Sequence, residues 1–146
     1  MANTSATITL FPYPKGIDNT QRMQILRGTI SLVAGTYPAG GIPLSWASLS
    51  NVDGESPTVL INTSSGPFPV EVDVFSSAYN ADGKGFGNIG PSGYIYVWDS
   101  VNGNLHIFET WSGNTGFSGP LLELAGPVPS VVLNDVIQFT AIFTRT

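Results

Sequence analysis

The chain has no cysteine and few charged residues. Without cysteine among its 146 residues, it cannot form disulfides, use a thiol nucleophile or bind a metal through thiolates. Charged residues make up 10% of the chain, against about 25% in a typical soluble domain. Two interpretations remain open: an ordinary β-sandwich with polar loops, or a neutral surface that is covered in an assembly.

Basic residues and long apolar runs are also scarce. Five basic residues against ten acidic ones give a net charge of −5, which argues against nucleic acid as a partner. No apolar run approaches the roughly 20 residues that span a bilayer, so we expect no membrane association. Met1 is followed by Ala-Asn-Thr-Ser, with neither a basic nor an apolar segment, and we predict no signal peptide.

Short β-prone segments separated by turns are abundant. The chain has 17 glycines and 11 prolines, and apolar and polar residues alternate in Gln24–Ala34, Phe68–Phe75 and Val136–Thr144. Thr58–Asn62 is a further short strand, Gly28 indicates a bulge, and Ser45–Leu49 could form one helical turn. About eight such strands with little helical periodicity predict an all-β fold, a single antiparallel β-sandwich or jelly-roll-like domain.

The N-terminal segment differs from the rest of the chain in its sequence pattern. Residues 6–11 alternate like a strand, and Pro12 and Pro14 then break the pattern. We therefore predict that residues 1–20 form an extended N-terminal arm and residues 21–146 the β-sandwich. The arm would lie against a neighbouring subunit or the shell and add a strand to a free edge.

A hairpin within Gly93–Trp111 carries the strongest local signal. Asn102-Gly103 lies between two aromatic and β-branched segments, which is the sequence signature of a tight turn. Centring the turn there, or on a symmetric four-residue loop, places Trp98 opposite Ile107 and Asp99 opposite His106. One face then carries Tyr94, Tyr96, Trp98, Leu105, Ile107 and Trp111, and the other carries Ile95, Val97 and Phe108. Both faces are apolar, so one is core and the other must be covered by a segment, a partner or a ligand.

Residues with catalytic potential are few. His106 is the only histidine, and without a G-x-S-x-G turn it is interpreted as the polar partner of Asp99. Glu71 and Asp73 lie roughly 7 Å apart on one face of a strand, a spacing that a glycosidase could use, but that face is most simply solvated. Asn80–Gly83 contains only part of a calcium loop, and Gly83-Lys84-Gly85 is not a phosphate loop. We predict no catalytic residue, no cofactor and no bound metal.

Four aromatic residues of the hairpin are the candidate binding residues: Tyr94, Tyr96, Trp98 and Trp111. They could stack against sugar rings, anchor a protein interface, in which Trp and Tyr are enriched, or form part of the core. The sequence leaves these three alternatives open.

A resemblance to a known group rests on four segments: Gly35–Leu44 (GTYPAGGIPL), Gly93–Phe108 around Tyr-x-Trp-Asp-Ser, Leu121–Ala125 (Leu-x-Glu-Leu-Ala) and Asp135–Phe143 (DVIQFTAIF). In this order they resemble small virion proteins of tailed bacteriophages, which are usually head decoration or cement proteins beside the major capsid protein. The resemblance covers roughly Gly28 to the C-terminus.

The resemblance implies a β-sandwich that binds the capsid surface as a homotrimer through contacts with the major capsid protein. Such a protein would be made in the host cytoplasm and would have no enzymatic activity. The alternative function is a carbohydrate-binding or host-recognition module, as in a tail fibre, that uses the hairpin aromatics.

Overall fold

The computed structural model describes residues 2–12, 15–19, 23–46, 69–76, 89, 93–109 and 121–144. Within these ranges the chain forms antiparallel sheets and one short helix, arranged as a sandwich rather than a closed barrel. The predicted all-β class is confirmed. No helix in the described ranges is long and apolar enough to cross a membrane.

The elements in chain order are β1 (Ser5–Leu10), β2 (Ile17–Asn19), β3 (Met23–Val33), β4 (Thr36–Tyr37), β5 (Ile42–Pro43), β6 (Glu71–Ser76), β7 (Ile95–Asp99), β8 (Asn104–Glu109), β9 (Leu122–Glu123), β10 (Gly126–Pro127), α1 (Ser130–Leu133) and β11 (Ile137–Thr144).

Two sheets form the sandwich. The five-stranded sheet has the order β1-β3-β11-β6, and β2 pairs with the first part of β3 on the same side as β1. The four-stranded sheet has the order β5-β8-β7, and β9 also pairs with β8. Strands β4 and β10 form a separate two-stranded ladder. Among the described strands, β6 is therefore an edge of one sheet and β7 an edge of the other, and an isolated bridge joins Ile89 to Ile95 at the start of β7.

The core lies between the two sheets and follows from the alternation within each strand. In β11 every second residue from Ile137 to Phe143 is buried, and in β8 the buried residues are Leu105 and Ile107. Trp46 is 1% exposed and fills the centre of this layer. Its ring packs edge-to-face against Phe139, Phe143 and Trp98, with centroid distances of 5.4, 5.6 and 5.8 Å.

The hairpin has the predicted faces but a different register. Trp98 pairs with Leu105 and Asp99 with Asn104, so the pairing is displaced by two residues. A two-residue displacement leaves every side chain on its predicted face, and the face of Tyr96 and Ile107 is the core. The cause is the Asp99 carboxylate, which accepts hydrogen bonds from the Val101 and Asn102 amides at 2.8 and 3.3 Å. It thereby fixes a four-residue loop that begins at Ser100, before Asn102-Gly103.

The structure places residues 5–10 and 17–19 of the predicted N-terminal arm in strands of the chain's own five-stranded sheet. Strand β1 pairs with β3 from Ser5↔Val33 to Leu10↔Gly28, and β2 continues along the same edge. Ile8 and Leu10 are buried in the core. The proline at position 12 does not interrupt this strand, because the strand ends two residues before it.

Gly28 does not form the predicted bulge. The register of β3 with β11 is continuous from Ile30↔Ile137 to Met23↔Thr144. A Cβ on Gly28 would instead collide with the carbonyl oxygen of Thr9 and lie 2.8 Å from the Cα of Leu10. The glycine is required for the close approach of β1.

Two other local predictions have different outcomes. Ser45 and Trp46 are not helical, and the rest of the predicted turn to Leu49 lies outside the described residues. The predicted strand Thr58–Asn62 also lies outside them. The described helix α1 was not predicted, because four residues are too few to show helical periodicity.

We expect Leu10→Ala to destabilise the protein by about 2–5 kcal/mol, because it leaves a cavity beneath β1. Thr7→Ala, on the exposed face of the same strand, should change the free energy of unfolding by less than about 0.5 kcal/mol. Urea unfolding of both variants measures the difference. Equal stability of the two variants would indicate a detachable arm instead of an integral strand.

Candidate functional site

One feature of the described surface that could bind a ligand is a cavity of about 490 Å³ between β6 and β7. Six consecutive residues, Val70–Phe75, line one side, and Tyr96, Val97, Trp98 and Ser100 line the other. Successive residues of a strand point to opposite faces. A cavity that touches all of them therefore runs along the edges of the two strands. We call it the edge groove.

The edge groove combines apolar walls with acidic residues. Among the described residues that line it, the charged ones are Glu71 and Asp73, and both are exposed. Three large apolar residues also remain accessible, with exposed fractions of 56% for Val70, 41% for Phe75 and 40% for Val97. Such a lining suits a ligand that presents apolar groups together with positive charge.

The predicted aromatic residues take different positions. Tyr96 borders the edge groove but is 1% exposed and belongs to the core. Trp98 is half-buried in the wall of the groove, and Tyr94 is half-buried and packs against the core outside it. Trp111 lies outside the described residues. The structure thus brings Trp98 together with Glu71 and Asp73, which are more than 20 residues away in the sequence.

Asp135 forms hydrogen bonds with both strands that line the edge groove, β6 and β7. One oxygen of its buried carboxylate, Oδ2, accepts hydrogen bonds from Ser76 Oγ at 2.7 Å and from the Tyr96 hydroxyl at 2.8 Å. Ser76 ends β6 and Tyr96 lies in β7, so one carboxylate holds both edges. Burial, followed by the hydrogen bond to Asp135, raises the pKa of the Tyr96 phenol well above its ordinary value. The phenol therefore remains a donor throughout the neutral range.

His106 lies on the outer face of the four-stranded sheet between two carboxylates. Its Nδ1 is 2.9 Å from Glu123 Oε1, and its Nε2 is 3.7 Å from Asp99 Oδ2. The ring stacks on Phe108 with an interplanar angle of 15°. The predicted contact with Asp99 is present, but it is diagonal, because Val97 lies directly opposite His106.

Tyr37 extends this network into the core. Its hydroxyl donates to Glu123 Oε1 at 2.8 Å and accepts from the Ile107 amide at 3.1 Å. Burial raises the pKa of the Tyr37 phenol well above its ordinary value, and the bond to Glu123 acts in the same direction. The arrangement connects β4, β8 and β9. Its geometry is that of a structural polar network.

The other predicted sites are partly outside the described residues. Asn80–Gly83 and Gly83–Gly85 fall there and are not described further. Among the described residues, no group of three histidine, aspartate or glutamate side chains is placed to hold a metal ion. Glu71 and Asp73 are exposed, as expected for a solvated strand face.

Comparisons of the chain with protein-family models, with curated proteins and with solved structures gave no significant match.

The raised pKa of Tyr96 predicts a loss of stability at alkaline pH. The unfolded phenol titrates near pH 10, whereas the folded one retains its proton to higher pH. Its contribution is therefore fully present below about pH 10 and is lost as the pH rises further. Thermal melts from pH 7 to 11.5 should show a shallower alkaline decline for Tyr96→Phe than for the wild type.

Ser76→Ala is the matched control for this measurement. It also removes a hydrogen bond to Asp135, which should cost about 1–3 kcal/mol at pH 7, but it leaves the phenol in place. Its alkaline decline should equal that of the wild type. If Tyr96→Phe declined as steeply as the wild type, the phenol would not be the source of the pH dependence.

Proposed function

We propose that this protein is a structural binding protein of a tailed-bacteriophage virion. It would bind the capsid surface beside the major capsid protein and stabilise the shell as a decoration or cement protein. The sequence resemblance suggests the setting. The observation that carries the proposal is the edge groove, where apolar side chains remain in water at the junction of two sheet edges.

The exposed residues of the groove favour an interface. Val70, Phe75 and Val97 are each at least 40% exposed, and fully burying a side chain of this kind contributes about 1.5–3 kcal/mol. A chain with five basic and ten acidic residues has little charge with which to keep such a patch in solution. Contacts with a shell would cover it.

Binding without turnover is the simplest role for the polar groups. His106 contacts the carboxylates of Glu123 and Asp99, and its ring stacks on Phe108. The Asp135 carboxylate accepts hydrogen bonds from Ser76 and Tyr96. These side chains act as structural links between strands. We therefore propose that the protein is not an enzyme and requires no cofactor, and that it self-associates as a homotrimer.

A carbohydrate-binding or host-recognition function is the second candidate. It is favoured by one observation, the position of Trp98 in the same groove as Glu71 and Asp73. An aromatic ring can stack on a sugar while carboxylates accept hydrogen bonds from its hydroxyl groups. Binding to a glycan array that Asp73→Asn abolishes without changing the melting temperature would favour this function over the first.

We expect the wild-type protein to sediment with heads of its own phage that were assembled without it. Val97→Lys should abolish co-sedimentation, because it places a charge in the apolar part of the edge groove. Val101→Lys is the matched control, since Val101 is 82% exposed in the hairpin loop and does not line the groove. Light scattering coupled to size exclusion should show an oligomer. A wild-type monomer that never sediments with heads would contradict the proposal.

A further inference from the structure

We propose that the edge of β6 is a docking site for an extended segment of a partner protein, with basic side chains at two alternate positions. This inference rests on the proposed function and specifies the surface and the chemistry of the partner. It would place the partner segment in the edge groove as an added strand.

One edge of β6 faces the edge groove. Residues Glu71–Ser76 pair with β11 on one side, and no described strand pairs with the other side. The groove follows that side over six consecutive residues. An edge of this kind presents backbone N–H and C=O groups that an extended peptide can pair with.

The charges determine which peptide fits. Glu71, Asp73 and Phe75 project from the outer face of β6 at alternate positions, roughly 7 Å apart along the strand. Neither carboxylate forms an ion pair with another described residue. Directly across β11, the neighbour of Asp73 is Thr140. Side chains of an added strand would lie directly opposite all three positions.

The sequence of an antiparallel partner strand would therefore follow the pattern apolar-x-basic-x-basic, where x is a residue that points into the groove. Its apolar residue would meet Phe75, and its two basic residues would meet Asp73 and Glu71. A partner strand parallel to β6 would have the reverse pattern, basic-x-basic-x-apolar. The spacing is intrinsic to an extended strand, because both strands repeat every two residues. A helical segment would not present side chains at this spacing.

The intervening residues of the partner would point into the groove. Val72 and Val74 lie on the inner face of β6, and Trp98 lies across the groove from them. Small or apolar residues fit these positions. Asp135 holds the Ser76 end of the groove through its bonds to both strands, so this end is already ordered before a partner binds.

The test uses the full-length protein and two acetylated, amidated hexapeptides. The probe is Leu-Thr-Lys-Val-Lys-Thr, and the matched peptide carries glutamate in place of both lysines. Titration followed by NMR amide shifts should show binding of the lysine peptide with shifts in β6 and β7. The double variant Glu71→Gln/Asp73→Asn should weaken it at least tenfold. Asp18→Asn, an exposed acid on β2 at the opposite edge of the sheet, should leave it unchanged.

Several outcomes would overturn the inference. These are equal binding of the two peptides, no binding of the lysine peptide, full affinity in the double variant, or binding of a neutral oligosaccharide instead of the peptide. Co-sedimentation separates this inference from the proposed function. If the double variant sediments with heads as well as the wild type does, the docking site is wrong and the virion function stands. If the lysine peptide binds selectively but the wild type never sediments, the docking site stands and the virion function fails.

Discussion

The packing of Trp46 between the two sheets is the contact on which the rest of the structure depends. Its ring meets Phe139 and Phe143 of one sheet and Trp98 of the other, so a single side chain fixes how the sheets face each other. Removing an aromatic ring of this kind costs about 3–5 kcal/mol. Among the described residues, the buried indole Nε1 of Trp46 has no hydrogen-bond partner, so the contact is one of packing. Because Trp98 is also a wall of the edge groove, core packing and the binding surface share one residue.

An open sheet edge can pair with the same edge of another copy of the chain. The charges on β6 can discourage this pairing and also favour a different partner. Charged residues on an edge strand discourage pairing between identical copies. Glu71 and Asp73 would have this effect, since two β6 edges brought together would oppose like charges. The same carboxylates would favour a basic partner. On this account self-association uses another surface, and the β6 edge is kept for a different protein.

Local pattern was sufficient to predict the longer strands and the faces of the hairpin, but long-range contacts decided the rest, including the short strands β2, β4 and β5. Alternation in β3, β6 and β11 predicted which residues share a face, and the structure shows which face is buried. The hairpin register depended on the Asp99 side chain, which a turn signature based on Asn-Gly does not include. Gly28 was interpreted as a bulge because the sequence does not show that Thr9 approaches it. The roles of Asp135 and Glu123 had no local signal, because their partners Tyr96 and Tyr37 are 39 and 86 residues away.

The central claim is that the protein acts by being bound along the edge groove. Amide hydrogen exchange of the free and the head-bound protein tests it most directly, because an added strand protects backbone amides at the edge that it joins. The account predicts slower exchange on binding in residues 70–76 and 95–98, with little change in β1 and β2 at the opposite edge. Slower exchange confined to β1 and β2, with β6 unchanged, would contradict it.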